Sequence, residues 1–301
     1  MRSSWKSRRT GWKAWIAMTE KIHEALHRAS SLLKERGLET HAAHLLMESV
    51  TGKPGAALLA DLREPLTPEQ SELFWNQTEE LLTGKPVQYI IGTEDFYGRS
   101  FLVNEHVLIP RPETEELVLG AINRGNSLFR DKTIQMADIG TGSGAIAITL
   151  KKEWPEAKVT ATDISEEALA VARKNAARHQ ADVTFLRGDM AAPIINRTWD
   201  IILSNPPYIA HEEAREMSDT VLGYEPHGAL FADEDGLFFY RKLAESLPPL
   251  MNKPALIGLE IGHLQGPAVC ALFEKAFPAA MIELIKDING KDRMIFCKIG
   301  E

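Results

Sequence analysis

The sequence predicts an α/β fold in which a doubly wound, mostly parallel, Rossmann-like seven-stranded sheet follows a small helical bundle. Three observations carry that prediction. Apolar β-branched runs alternate with helical stretches from Ile134 to the C-terminus, the pattern of a parallel sheet covered on both faces. Before Gly84, leucines recur in polar surroundings with no such alternation, which marks a separate helical front domain. Between the two lies an aromatic and β-branched stretch broken by Tyr97-Gly98-Arg99, the composition of a hairpin.

Taken in order, residues 1–17 carry Arg2, Lys6, Arg8, Arg9 and Lys13 and no acid. They form a basic extension without the apolar segment of a secretory signal. Over residues 18–85, Leu26, Leu32, Leu33, Leu45, Leu46, Leu58 and Leu59, punctuated by Gly37, Gly52 and Gly55, mark a set of short helices. Thr67-Pro68-Glu69-Gln70 offers an N-cap, a proline at the first helical position and a glutamine that closes a capping box. Residues 86–110 are expected to form the hairpin, with strands over Val87–Phe96 and Phe101–Leu108.

The sheet domain is expected over 111–301. Pro110 and Pro112 fix an extended approach to a helix beginning at Glu113. Strands are expected over Ile134–Ile139, Lys158–Thr162, Asp182–Leu186, Trp199–Leu203, Ala255–Glu260 and Met281–Ile285, with helices over Ala145–Lys152 and Ser165–His179. A last strand, Arg293–Lys298, follows its predecessor after only the "DINGKD" turn and must therefore run antiparallel to a neighbour.

Chemistry concentrates at the ends of these strands. The first ends in "ADIGTGSGAIAI", where Gly140, Gly142 and Gly144 permit a sharp turn and close approach of a ligand to backbone. Alone, that turn fits a dinucleotide, a nucleoside or tight strand–helix packing. The second strand ends at Asp163, placed to accept ribose hydroxyls. The third ends at Asp189 and Met190, where an adenine ring would lie. The fourth ends in Asn205-Pro206-Pro207-Tyr208. The Asn205 side-chain oxygen and the Pro206 carbonyl make a fixed pair of acceptors for a planar NH2 group, and Tyr208 makes a flat wall against it. This arrangement suits amine chemistry and offers nothing for a hydride, which favours S-adenosyl-L-methionine over a nicotinamide cofactor.

"NPPY" together with "DIGTGSG" resembles the amino-methyltransferases that act on an sp2 nitrogen. With "GKPVQYIIGTEDFYGRSFLVNEHVLIPRPETEELV", "YEPHGALFADEDGL" and "DINGKDRMI", the chain is similar to the release factor glutamine methyltransferases, the HemK/PrmC family. The resemblance implies methyl transfer from S-adenosyl-L-methionine to the glutamine side-chain nitrogen in the Gly-Gly-Gln motif of class 1 peptide chain release factors. It assigns cofactor contacts to Gly140, Thr141, Gly142, Ser143, Gly144, Asp163, Met190 and Asn205, and the substrate amide to Asn205, Pro206, Pro207 and Tyr208. Met190 stands where an aromatic residue is frequent, so its contact with adenine is packing rather than stacking. Phe96 or Phe101 is expected to supply the other face of the amide clamp. Arg111 and Glu113 either line the methionine end of the cofactor or pair with each other.

The totals narrow the alternatives. Of 34 basic residues five lie in the first 17, leaving 29 bases against 42 acids in residues 18–301. Such a body is a poor generic binder of polyanions, which speaks against a methyltransferase acting on adenine N6 or guanine N2 of a nucleic acid and against stable nucleic-acid binding. A non-catalytic cofactor-binding protein is disfavoured because both motifs are intact. His23-Glu24-Ala25-Leu26-His27 spells H-E-x-x-H, but no third ligand follows at a telling distance, and the expectation is a solvated helix face with no metal. Cys270 and Cys297, the two cysteines, match no metal or disulfide spacing. No apolar run approaches the ~20 residues that span a bilayer. The expectation is a soluble, cytoplasmic, monomeric enzyme.

Overall fold

The computed structural model describes residues 20–129 and 133–300. The expected basic extension, residues 1–17, lies outside them. The chain divides into two compact units, one of residues up to Ile91 with Asp219–Tyr224, the other of Gly92–Ser218 with the rest of the chain from Glu225.

The first unit is helical. It comprises α1 (Ile22–Glu35), α2 (Ala42–Thr51), α3 (Gly55–Ala60), α4 (Pro68–Leu81) and α5 (Val87–Ile91). On α1 the residues Ile22, Ala25, Leu26, Ala29 and Leu33 are buried, the stripe of an amphipathic helix facing a core. The expected capping box starts α4: Gln70 N donates to Thr67 Oγ1 at 3.2 Å and Thr67 N donates to Gln70 Oε1 at 3.1 Å. Val87–Ile91, expected as strand, is helical. Tyr89 N and Ile90 N both donate to the Pro86 carbonyl, and Val87 joins Phe74, Leu81 and Leu82 in the core of this unit. Tertiary packing here overrides the β-propensity of Val and Ile.

The second unit opens with the hairpin, reduced to β1 (Thr93–Phe96) and β2 (Arg99–Leu102). Tyr97 and Gly98 both have positive φ, 51° and 69°, as a two-residue turn compatible with strand twist requires. The expected second strand stops at Leu102, and residues 103–111 run irregularly into α6 (Pro112–Leu128). Then follow β3 (Gln135–Ile139), α7 (Ala145–Glu153), β4 (Lys158–Asp163), α8 (Glu166–His179), β5 (Val183–Arg187), β6 (Trp199–Ser204), α9 (Asp219–Tyr224, of the first unit), α10 (Phe238–Ser246), β7 (Met251–Glu260), α11 (Gly266–Ala276), β8 (Met281–Lys286) and β9 (Asp292–Ile299).

The sheet order is β5-β4-β3-β6-β7-β9-β8. Strands β3 to β7 pair in parallel, and β9 runs antiparallel between β7 and β8. The order reverses at β3, whose neighbours are β4 and β6. In such sheets the crevice beyond the carboxyl ends at this switch point is where ligands bind. Apolar cores cover both faces, one built around Met136, Ile201 and Leu256, the other around Ala137, Ile202 and Ile257. Among the described residues no helix is long and apolar enough to cross a membrane.

Candidate active site

The turn after β3 is made of backbone. Gly140, Gly142 and Gly144 have φ of 75°, 54° and 84°, a region open to glycine and strained for other residues. At Gly140 and Gly142 a Cβ would meet nothing within 4 Å, so glycine is required there by conformation, and the space above the turn stays open. Gly140 N and Thr141 N both donate to the Thr162 carbonyl at 2.9 Å, which ties the turn to β4. From below, the buried Asp138 takes the Thr141 hydroxyl at 2.5 Å and Ala147 N at 3.2 Å, both on Oδ2. Burial pushes its carboxyl up to about 7, against the lowering effect of those two bonds, with Asp163 adding to the rise.

Asp163 closes β4. Its Oδ2 accepts from Gly142 N and its Oδ1 from Ser165 N, each at 2.9 Å. A carboxylate offers about four lone-pair positions, so these two bonds fix its orientation while leaving acceptor capacity for hydroxyls of a ligand. Beyond β5, Met190 sits at φ 49° and its carbonyl accepts from Thr162 Oγ1 at 3.2 Å. Asp189 beside it is exposed and accepts from Lys242 Nζ at 2.8 Å.

These strand ends wall one cavity of about 610 Å³, lined by Gly140, Gly142, Asp163, Met190 and Asn205 among others, a size typical of small-molecule sites. Thr141, Ser143, Asp189 and Pro207 also line it. Pro206 is buried, and Gly144, Pro206 and Tyr208 are not among the residues that line the cavity. A glycine cradle, a carboxylate with spare acceptors and an apolar Met190 wall fit the nucleoside part of S-adenosyl-L-methionine. At another part of the wall stands Arg111, paired with the buried Glu225 and not with Glu113. Its guanidinium suits an anionic group such as the methionine carboxylate.

The β6 end is made of side chains. Ser204 stands opposite Leu259 in the parallel register of β6 and β7, so Asn205 and Glu260 leave the sheet side by side. Thr114, on the first turn of α6, lies between them. Its Oγ1 donates to Glu260 Oε2 at 2.6 Å and accepts from Asn205 Nδ2 at 3.1 Å. With its nitrogen committed to Thr114 and turned to the Glu260 carboxylate, Asn205 presents its oxygen to a ligand. Glu260 is 2% exposed. Burial raises its carboxyl to about 7, opposed by the Thr114 bond and by Arg293. Tyr208 reaches Glu260 Oε1 and Arg293 Nη1 at 3.5 Å, the outer limit of such bonds. Burial and the Glu260 charge push its phenol above the ordinary value. The phenol stays protonated.

The loop carrying Tyr208 is pinned from outside the motif. Gln265 Nε2 donates to the Tyr208 carbonyl at 2.8 Å, and Ile209 N donates to the Leu230 carbonyl at 3.0 Å. Gly236, at φ 80°, passes so close that a Cβ there would lie 2.2 Å from Tyr208 O. Asn175 does similar work on the cofactor side. Fully buried in α8, it accepts from Leu102 N at 2.7 Å and donates to Ser143 O at 2.8 Å, joining hairpin to glycine turn. Sequence reasoning missed Thr114, Glu260, Asn175, Gln265 and Gly236. The "PRPETE" and "DEDGL" runs that hold Thr114 and Gly236 were the available signal.

One expectation fails. Phe96 and Phe101 are 1% and 0% exposed and meet edge to face, ring centroids 6.0 Å apart, so neither can serve as an open wall of the cavity. Phe239 lines it instead, as does His106. His23 and His27 are exposed on α1, and His23 Nδ1 lies 2.8 Å from the Leu62 carbonyl. Among the described residues no group of three or more His, Cys, Asp or Glu is placed to hold a metal ion.

The chain is similar to known proteins over most of its length. The family model described as "PrmC N-terminal domain" matches residues 24–92, and that described as "Methyltransferase small domain" matches residues 126–222. The release factor glutamine methyltransferase of Bacillus anthracis is 46% identical over 281 residues, covering 93% of this chain and 99% of that protein. The one of Bacillus subtilis is 48% identical over 277 residues, covering 91% and 96%. The crystal structure of a methyltransferase from Pyrococcus furiosus superposes with a TM-score of 0.50 at 19% identity, over 75% of this chain and 99% of that one. That last likeness is one of fold.

Proposed function

This chain belongs to the release factor glutamine methyltransferase family, and from that premise we propose that it methylates the side-chain amide nitrogen of the glutamine in the Gly-Gly-Gln motif of class 1 peptide chain release factors. Its methyl donor is S-adenosyl-L-methionine, which when bound supplies an electrophilic methyl on sulfur. The observation that carries the reading is that Asn205 lines the same cavity as Gly140, Gly142 and Asp163. An amide acceptor and a nucleoside cradle thus share one space.

The residue roles follow from chemistry. Gly140, Thr141, Gly142, Ser143 and Gly144 bring backbone to the cofactor, Asp163 accepts from its ribose hydroxyls, and Met190 packs on its adenine. An amide nitrogen is a poor nucleophile because its lone pair is delocalised. The Asn205 oxygen and the Pro206 carbonyl, by accepting its two hydrogens, favour the positive charge that develops there as it attacks. Pro207 stiffens the loop and Tyr208, kept neutral, is a flat wall. The helical unit is proposed to recognise the release factor, supported by the match of residues 24–92 to the N-terminal family model. A monomeric, cytoplasmic enzyme without stable nucleic-acid binding completes the reading, supported by the acid excess and by two free cysteines.

The test is labelled-methyl transfer to purified release factor beside a Gly-Gly-Ala variant of its motif. Label on the wild-type factor alone is expected. Equal label on both, or label only on nucleic acid, overturns the assignment.

A further inference from the structure

Asn205 can serve as an acceptor only if its amide is the right way round, and nothing in Asn205 itself decides that. Its oxygen and nitrogen are nearly equal in size, so a half-turn about the last side-chain bond exchanges an acceptor for a donor. A donor facing the substrate NH2 would oppose it. The choice is made by Thr114, whose single hydroxyl proton can go to one partner only, together with Glu260, whose carboxylate also takes a hydrogen bond from the Asn205 side chain. In the structure the threonine proton goes to Glu260 Oε2 at 2.6 Å, which leaves the Thr114 oxygen to accept from Asn205 Nδ2 at 3.1 Å.

We propose that Thr114 and Glu260 are positioning residues, a polarity relay that holds the Asn205 amide with its oxygen toward the substrate. The inference rests on the reading of Asn205 as the acceptor of a substrate amide. The relay needs Glu260 to be an acceptor at Oε2. A protonated carboxyl can donate to Thr114 instead, which frees the threonine proton for Asn205 and stabilises the reversed amide. Burial holds the Glu260 carboxyl near neutrality, to about 7, so the relay is poised to change polarity within the neutral range. The groups facing Glu260 are Thr114 and Glu113 on α6, Asn205 and Tyr208 after β6, Tyr240 on α10 and Arg293 on β9. Tyr208 and Tyr240 are both pushed above the ordinary phenol value, chiefly by burial. Neither competes for a proton at neutral pH. Arg293 favours the charged carboxylate and Glu113 opposes it.

Two readouts on the full chain test the relay. In transfer to release factor, Thr114→Val, close in shape but without a hydroxyl, is expected to lower kcat by roughly 10- to 100-fold, with KM and cofactor affinity within about threefold of wild type. Thr114→Ser is expected to restore most of the loss. The second readout needs no activity. In protein labelled with ¹⁵N-asparagine, the side-chain NH2 signals of Asn205, assigned by their absence in Asn205→Ala, are expected to shift with pH with a midpoint of about 7. The shift is lost in Glu260→Gln, reduced in Thr114→Val and kept in Asp138→Asn, another carboxyl raised to about 7. Wild-type kcat in Thr114→Val, or an unchanged Asn205 titration in that variant, overturns the relay. A titration that depends on Thr114 in a protein that methylates no release factor upholds the relay and overturns the proposed function.

Discussion

At the carboxyl end of β3 the site presents backbone, held by the nearby carboxylates Asp138 and Asp163, whereas at the ends of β6 and β7 it presents side chains aimed by other side chains. The glycine turn gets its shape from φ angles at Gly140, Gly142 and Gly144, and its supports, Asp138 and Asp163, lie within the same two strand–turn units. The amide end depends on Thr114, 91 residues before Asn205, and on Glu260, 146 residues after Thr114. The cradle takes most of its shape from nearby residues, with Asn175 as its more distant tie. A side-chain relay is specified by whatever the fold brings alongside. The two ends should therefore fail separately when perturbed.

The largest separation is expected from Asn205→Ala. Removing the acceptor should lower kcat by roughly 10²- to 10³-fold, the scale seen when one preorganised charge-stabilising group is lost. Cofactor affinity, measured by calorimetry, should stay within about threefold of wild type. A parallel loss of both would erase the distinction between the ends.

Gly236→Val comes next. Its Cβ would lie 2.2 Å from Tyr208 O at a φ of 80°, so the loop must move, at a cost of about 2–4 kcal/mol. Transfer should fall by roughly tenfold or more and the thermal midpoint by several degrees, while the cofactor cradle keeps its affinity. An unshifted midpoint would mean that the loop is not pinned at Gly236.

The mirror experiment is Asp163→Ala. Loss of the ribose acceptor and of the bond to Gly142 N should weaken cofactor binding by roughly tenfold, about 1.4 kcal/mol. At saturating cofactor kcat should change by less than about threefold. A collapse of kcat under those conditions would show the cradle acting on the amide end.

The smallest effect concerns pH. Burial raises the Asp138 carboxyl to about 7 in the folded protein, while an unfolded Asp titrates near 3.9. The folded state thus holds a proton that the unfolded state has released, and stability from this group is complete below about pH 4 and lost as pH rises through about 7. Glu260, raised to about 7, acts in the same direction. Asp138→Asn should reduce the fall in urea midpoint between pH 5 and pH 8 by about half, with a residual slope of comparable size from Glu260. An unchanged slope would assign the effect to other groups.

Much of the fold was legible because its rules are local. Alternating apolar runs mark strands covered on both faces, and the short "DINGKD" connection forces β9 to run antiparallel to β8. Val87–Ile91 was misread because valine and isoleucine favour strands, yet five residues held between Pro86 and an apolar core bury more of themselves as a helical turn. Phe96 or Phe101 reads as one face of an amide clamp because sequence gives neighbours along the chain and not depth. In the fold both are covered. Phe239, which lines the cavity instead, sits in no motif that would single it out.

What the residues alone determined is the inventory of the site: a glycine turn after one strand, an acid after the next, and an amide with two prolines and a phenol after the fourth. These are statements about conformational freedom and donor–acceptor chemistry, properties that a residue carries wherever it lies. Only the tertiary structure decided which way the amide faces. The register of β6 on β7 puts Asn205 beside Glu260, and the start of α6 inserts the Thr114 hydroxyl between them. The polarity of a hydrogen bond belongs to the pair that makes it, so it exists only once folding has chosen the partner.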